Sequence, residues 1–200
     1  MSLRYRSLIT DKAPITGGSL QIGTGTDNLN QYPAFGLYNY SVSMFLYRAS
    51  ELGDARQITG IDVTFNSYTS GYSFLNQTIK LAHITDNKLN SNVTVSLGGI
   101  TTKNLTTCKS NFTNTITSGG SKTFTFDTNF FYNGDDNLLL IWENRDGSWT
   151  SGYGTSKCTF VTSNHPTNTH RSWFKNQDAS YPTGYGTVDV NYRMDVKFRY

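Results

Sequence analysis

From Val188 to Tyr200 the chain alternates without a break. Val188, Val190, Tyr192, Met194, Val196, Phe198 and Tyr200 are separated by Asp189, Asn191, Arg193, Asp195, Lys197 and Arg199. Successive side chains of a strand point to opposite faces, so the pattern predicts an apolar face on a core and a charged face in water. One dry face and one wet face is the habit of antiparallel sheets. Ile61, Val63 and Phe65 repeat the pattern, as do Phe124 and Phe126. Leu138 to Trp142 is apolar at every position, which predicts a central strand covered on both sides. Ile79, Leu81, Ala82 and Ile84 change phase midway, which predicts a β-bulge near Leu81 or Ala82.

Turn chemistry divides these runs. Gly17-Gly18, Gly98-Gly99, Ser118-Gly119-Gly120, Asn133-Gly134 and Asp146-Gly147 supply residues that tolerate positive φ. No window has helical periodicity beyond Ala49-Ser50-Glu51-Leu52, a single turn for Gly53 to end. Many short strands between regular turn signals predict an all-β sandwich or barrel, and 200 residues fit one domain of that kind.

Composition supports such a core. Hydrophobic residues make up only 36%, but 13 Tyr and 12 Phe bury much area each. The net charge of +3 is spread over scattered basic residues, so the clustered footprint of a nucleic-acid binder is missing. No apolar run is long enough for a membrane span, and no apolar segment follows Met1-Ser2-Leu3-Arg4-Tyr5-Arg6 as a secretory signal requires. Two cysteines, Cys108 and Cys158, are too few for a disulfide framework; they are read as free buried thiols, with pairing across adjacent strands as the alternative.

Residues 22–61 carry a resemblance. They run Ile22-Gly-Thr-Gly-Thr, Tyr32-Pro33-Ala34-Phe35, Tyr38-Asn39-Tyr40-Ser41, Leu46-Tyr47-Arg48-Ala49-Ser50-Glu51-Leu52-Gly53 and Ile58-Thr59-Gly60-Ile61. This order resembles the opening of jelly-roll adhesin modules of Bacteroidetes surface proteins and their relatives among tailed-phage virion proteins, which run "IGTGT", "YPF…YY.YS", "IYTASEIG" and "ITSI". Phe131-Tyr132-Asn133-Gly134-Asp135-Asp136-Asn137-Leu138-Leu139-Leu140 is similar to the same modules' "F.Y.G..NLLI" strand. The resemblance covers nearly everything after about residue 19 and implies an antiparallel jelly-roll β-sandwich over residues 19–200. Residues 1–18 fall outside it, as an N-terminal arm or a first strand.

Candidate chemistry is sparse. His83, His165 and His170 are joined by no cysteine or second carboxylate at zinc-ligand spacing, and His83 reads as a structural residue within a strand. There is no Gly-x-Ser-x-Gly elbow and no phosphate loop with its lysine. Ile22-Gly-Thr-Gly-Thr lacks the helix a dinucleotide fingerprint needs and reads as a strand end. The two glutamates, Glu51 and Glu143, fall at positions the resemblance makes structural, which argues against a glycosidase pair. Asp135 and Asp136, beside Asn133 and Asn137, offer oxygens of the kind calcium takes, but a solvated turn accounts for them. No metal or cofactor is therefore expected.

The expected ligand contacts are aromatic. Trp149 and Tyr153 lie among Gly, Ser and Thr, and Trp173 follows Arg171 and precedes Tyr181, Pro182, Gly184 and Tyr185. Flat rings beside hydrogen-bonding side chains suit a sugar ring or a protein hot spot, whereas plugging the sandwich ends is the other use for them. At the N-terminus Leu3, Tyr5 and Leu8 alternate with Arg4 and Arg6, as in an arm that docks on a neighbouring subunit. The expectation is a non-catalytic structural or adhesive protein of a tailed-phage virion, a tail appendage, collar or head fibre. Its partners would be other virion proteins, further copies of itself and a cell-surface glycan. A signal-less protein acting outside a cell fits release by lysis. The alternative is a carbohydrate-binding or adhesin domain belonging to a secreted bacterial surface protein.

Overall fold

The computed structural model describes residues 16–29, 33–34, 36–67, 72–116, 119–149, 159–164, 170–189 and 191–200. Thirteen strands and one helical turn are described: β1 (Ser19–Ile22), β2 (Asp27–Leu29), β3 (Tyr40–Tyr47), α1 (Ala49–Leu52), β4 (Arg56–Ser67), β5 (Tyr72–Ile84), β6 (Thr102–Ile116), β7 (Gly120–Tyr132), β8 (Asn137–Asn144), β9 (Thr159–Asn164), β10 (Ser172–Gln177), β11 (Thr187–Asp189), β12 (Tyr192–Met194) and β13 (Val196–Arg199). All pairings are antiparallel. One sheet runs β1-β13-β4-β9-β12, with β2 on β9 and β7 on β4; the other runs β11-β10-β3-β8-β5-β6. The two pack face to face as an antiparallel β-sandwich.

The core between the sheets is built from alternate positions. Ile61, Val63, Phe65, Phe124, Phe126, Met194, Val196 and Phe198 come from the first sheet. Phe45, Tyr47, Ile79, Leu81, Leu138, Leu140 and Trp142 come from the second. Trp142 sits edge-on to Phe124, ring centroids 5.0 Å apart, and its Nε1–H donates to Gln77 Oε1 at 2.8 Å. That bond satisfies the one polar atom the indole brings into the core.

Leu138 to Trp142 is indeed covered on both faces, because β8 lies between β3 and β5 and all eight of its residues are buried. Leu139 and Ile141 face away from the main core into a second cluster with Val42, Met44, Leu46, Ile84, Leu89, Val93 and Trp173. Residues 85–101 and 178–188 cover this outer face. They are tied together by an antiparallel bridge between Thr94 and Tyr185 and by Val95 N–H donating to Gly184 O at 3.0 Å.

This second layer also explains the phase change in β5. The β5–β8 register is uninterrupted from Gln77↔Asn144 to Ile84↔Asn137, so Ile79, Leu81 and His83 face inward while Ala82 and Ile84 face the outer cluster. The irregularity near Leu81 is real but its extra residue is on β6, where Leu81↔Thr106 is followed by His83↔Lys103. Asn104, at φ 54°, takes up the slack there, and Asn76 and Asn111, each at φ 51°, sit at two further shifts. Asparagine tolerates this left-handed region better than other residues with a Cβ.

The C-terminal alternation requires a correction. It is not one strand: Val188, in β11, pairs with Trp173 of the second sheet, whereas Met194, Val196 and Phe198 belong to the first sheet and the main core. Nor is its polar face wet throughout: Lys197 and Arg199 reach solvent, but Arg193 is 1% exposed and Asp195 5%. Partners distant in sequence meet both side chains. The edges near β6 and β7 are closed by lysines: Lys109 Nζ donates to Thr125 O at 2.9 Å and Lys122 Nζ to Thr115 O at 2.6 Å. Such bonds satisfy carbonyls that an open edge would offer to another chain. No helix among the described residues is long and apolar enough to cross a membrane.

Candidate functional site

The expected ligand-binding rings are dispersed. Trp149, beyond the end of β8, is 59% exposed, and Tyr185 is 64% exposed. Trp173 is fully buried in the outer cluster, so its ring is a packing element with no face open to a ligand. Tyr181 is half-buried against that cluster, with the guanidinium of Arg145 lying 3.4 Å over its ring. Tyr153 lies outside the described residues, as do Leu3, Arg4, Tyr5, Arg6 and Leu8 of the expected subunit contact and Cys158. Cys108 is free and buried; burial pushes its thiol up to about 12, so it is an inert core residue.

Tyr181 lines a cleft of about 360 Å³ on the outer face of the second sheet, together with Lys80, Val95, Ser96, Glu143, Arg145, Pro182, Thr183 and Gly184. Strand register puts Lys80 and Glu143 there. Thr78 pairs with Glu143 and Lys80 with Ile141, so the two charged residues are diagonal neighbours on adjacent strands. Lys80 Nζ donates to Glu143 Oε1 at 2.6 Å and Arg145 Nε to Oε2 at 3.0 Å. Burial would raise the Glu143 pKa, but hydrogen bonds and charge from Lys80 and Arg145 outweigh it and the carboxyl is held below its usual range. Burial drives the Tyr181 hydroxyl upward, helped by the Glu143 charge, so it remains a phenol. Sequence reasoning found Tyr181 through its aromatic neighbourhood. It missed Lys80, which meets Glu143 through the diagonal register, and Arg145, which lies two residues beyond Glu143.

The other glutamate is equally committed. Glu51 Oε2 accepts from Arg48 N–H at 2.8 Å, which closes the first turn of α1. It also accepts from Arg171 at 2.6 Å and Arg193 at 2.9 Å, and Oε1 accepts from Arg193 at 3.0 Å. Burial opposes ionisation, yet the bonds and charge of Arg193, with Arg48 N–H and Arg171 behind them, pull the Glu51 pKa down to about 2. A carboxylate held so far below neutrality is a poor general acid or base. His83 is likewise enclosed, 4.8 Å from the Phe130 ring, with Nε2 accepting from Asn133 N–H at 3.2 Å.

The glycine-rich turn after β1 has a structural task. Gly25 N–H donates to Asp195 Oδ2 at 2.7 Å, and Ser163 Oγ donates to the same carboxylate at 2.7 and 2.8 Å. Gly23, at φ 84°, passes so close that a Cβ would stand 1.9 Å from Asp195 Oδ1. Ile22 therefore ends a strand, as expected, and the turn then cradles a buried carboxylate rather than a phosphate. At the Asn133–Asp136 turn, Asn133 Oδ1 accepts from the N–H groups of Asp135 and Asp136 at 3.0 and 3.1 Å. This is the local hydrogen bonding of an Asx turn. No cluster of metal-ligating side chains occurs among the described residues.

Compared with known protein families, curated proteins and solved structures, the chain matches none.

Proposed function

We propose that this β-sandwich is a non-catalytic structural and adhesive component of a tailed-phage virion, of the tail-appendage, collar or head-fibre kind, and that its strand connections follow the jelly-roll order implied by its sequence resemblance. One observation carries the non-catalytic part. Both glutamates are bound by two cations each, while Phe131, Trp149 and Tyr185 stand more than half exposed. The two glutamates are tied up in ion pairs, and the large apolar side chains suited to contact face outward. The sequence of residues 1–18 suits an arm, with Leu3, Tyr5 and Leu8 filling a neighbour's groove and Arg4 and Arg6 pairing at its rim. Light scattering of the whole chain and of a variant lacking residues 2–15 tests this. Assembly by the first and a folded monomer from the second support the reading; a monomeric whole chain, or unchanged assembly after truncation, overturns it.

The cleft beside Tyr181 favours a second mode of action, glycan contact, whether on a virion or as the adhesin domain of a secreted bacterial surface protein. It combines apolar surface, hydroxyls and charged groups on segments held by a rigid sheet.

A further inference from the structure

The cleft on the outer face of the second sheet has a defined polarity. Lys80 and Arg145 bring two positive charges and Glu143 one negative, so the lining carries a net positive charge. These charges can be reached: the side chains of Lys80 and Arg145 are 24% and 42% exposed. Arg145 is also pre-set. Glu143 fixes its Nε, and the Tyr181 ring lies beneath its guanidinium, 3.4 Å from the ring centre. Such a cation loses little freedom when it pairs with an anion. Tyr181 is thus a positioning residue, because the ring face that a sugar would use is taken by Arg145. Val95 and Pro182 add apolar surface to the same cleft, while Ser96 and Thr183 add hydroxyls. The volume, about 360 Å³, lies at the small end of small-molecule sites.

We propose that this cleft binds an acidic monosaccharide unit, a hexuronate or similar carboxylated sugar. Its carboxylate pairs with Arg145 and Lys80, its C–H surface lies on Val95 and Pro182, and its hydroxyls meet Ser96 and Thr183. This rests on the glycan-contact reading and gives it a ligand class. Neutral sugars lack the charge the lining calls for. Simple carboxylates lack the ring that would use the apolar and hydroxyl groups.

Amide NMR titration of the whole chain with glucuronate, glucose and acetate tests it. Glucuronate should shift Ser96, Thr183 and Gly184, and bind about tenfold more tightly than either glucose or acetate. Raising NaCl from about 50 to about 500 mM should weaken it. Arg145→Gln should lose about tenfold in affinity while its spectrum stays folded, and Arg145→Lys should restore part of the loss. Glucose or acetate binding as tightly as glucuronate overturns the proposal, as does unchanged affinity in Arg145→Gln or no shift at these residues. If glucuronate instead shifts the surroundings of Trp149 and leaves Ser96 and Thr183 unmoved, this inference falls while the broader glycan reading stands. If no sugar shifts any resonance, both fall.

Discussion

Glu51 receives two nitrogens of Arg193, at 2.9 and 3.0 Å, across 142 residues of sequence. The same guanidinium lies 4.7 Å from the centre of the Tyr47 ring, and Tyr47 donates its hydroxyl to Met194 O at 2.9 Å. Arg171 adds a third cation contact, and its carbonyl accepts from Leu46 N–H at 2.9 Å. One carboxylate on a four-residue helix therefore binds Arg193 of β12 and Arg171 at the entry to β10, and through Arg193 it reaches β3, so that elements of both sheets meet at one place.

Acid should weaken this joint. The folded-state pKa of Glu51, about 2, lies below its unfolded value, so its contribution is complete above pH ~4.3 and is lost as pH falls toward 2. Replacing Glu51 by Gln should remove that part of the acid sensitivity and lower stability at pH 7 by about 2 kcal/mol. This is less than the ~3–5 kcal/mol typical of breaking a fully buried pair, because a quarter of the Glu51 side chain is exposed. Urea melts of both proteins at pH 7 and pH 3.5 measure the difference. Parallel losses on acidification would show that Glu51 does not carry it.

His83 should respond in a separate window. Burial lowers its pKa, opposed by Asp136 and assisted by Lys103, so the unfolded chain takes up the proton first. Its contribution is therefore present above the unfolded value of about 6.5 and declines as pH falls below it. His83→Phe keeps the ring against Phe130 and Tyr132 but removes the acceptor for Asn133 N–H. The variant should be less stable at pH 7.5, with a smaller further loss by pH 5.5 than the parent. An equal loss in both would assign the slope to other groups.

Gly23 should not tolerate alanine. A methyl group there meets the Asp195 carboxylate, and φ is 84°. The expected cost is about 1–3 kcal/mol from backbone strain and displacement of the carboxylate. Gly17→Ala is the comparison, since its φ is similarly positive, at 75°, but nothing lies within 4 Å. Thermal melts should show the larger loss at Gly23; equal losses would mean that Asp195 moves aside freely.

Much of the fold could be read from periodicity. β8 announced its double burial through five successive apolar residues, and Ala49 to Gly53 its single helical turn. Burial of charge could not be read this way. Arg193 and Asp195 occupy positions of an alternating strand that normally face water, and partners far away in sequence, Glu51, Ser163 and Gly25 among them, make their burial tolerable. Alternation also gives no sign of which sheet a strand joins, so Val188 looked continuous with Val196. The cleft was half legible. Tyr181 stands out by composition, whereas Lys80 meets Glu143 and Arg145 only through the β5–β8 register.

The C-terminal strip offers the clearest test of facing. Val196 is 1% exposed within the main core, so Val196→Asp buries an unpaired charge and should cost on the order of 3 kcal/mol or more. Lys197 has 40% of its side chain exposed and stands 3.9 Å from Asp62, an acid already held by Arg199 at 3.2 Å. Lys197→Gln should therefore change stability by less than about 1 kcal/mol. Plain alternation would place Arg193 with Lys197 and predict equally mild effects. The structure separates them: Arg193→Gln leaves Glu51 with weaker support in a confined site and should destabilise far more than Lys197→Gln. Three denaturant midpoints decide the matter. The order of loss should be Val196→Asp and Arg193→Gln well ahead of Lys197→Gln. A harmless Arg193→Gln would mean that its burial and its bonds to Glu51 are not as described.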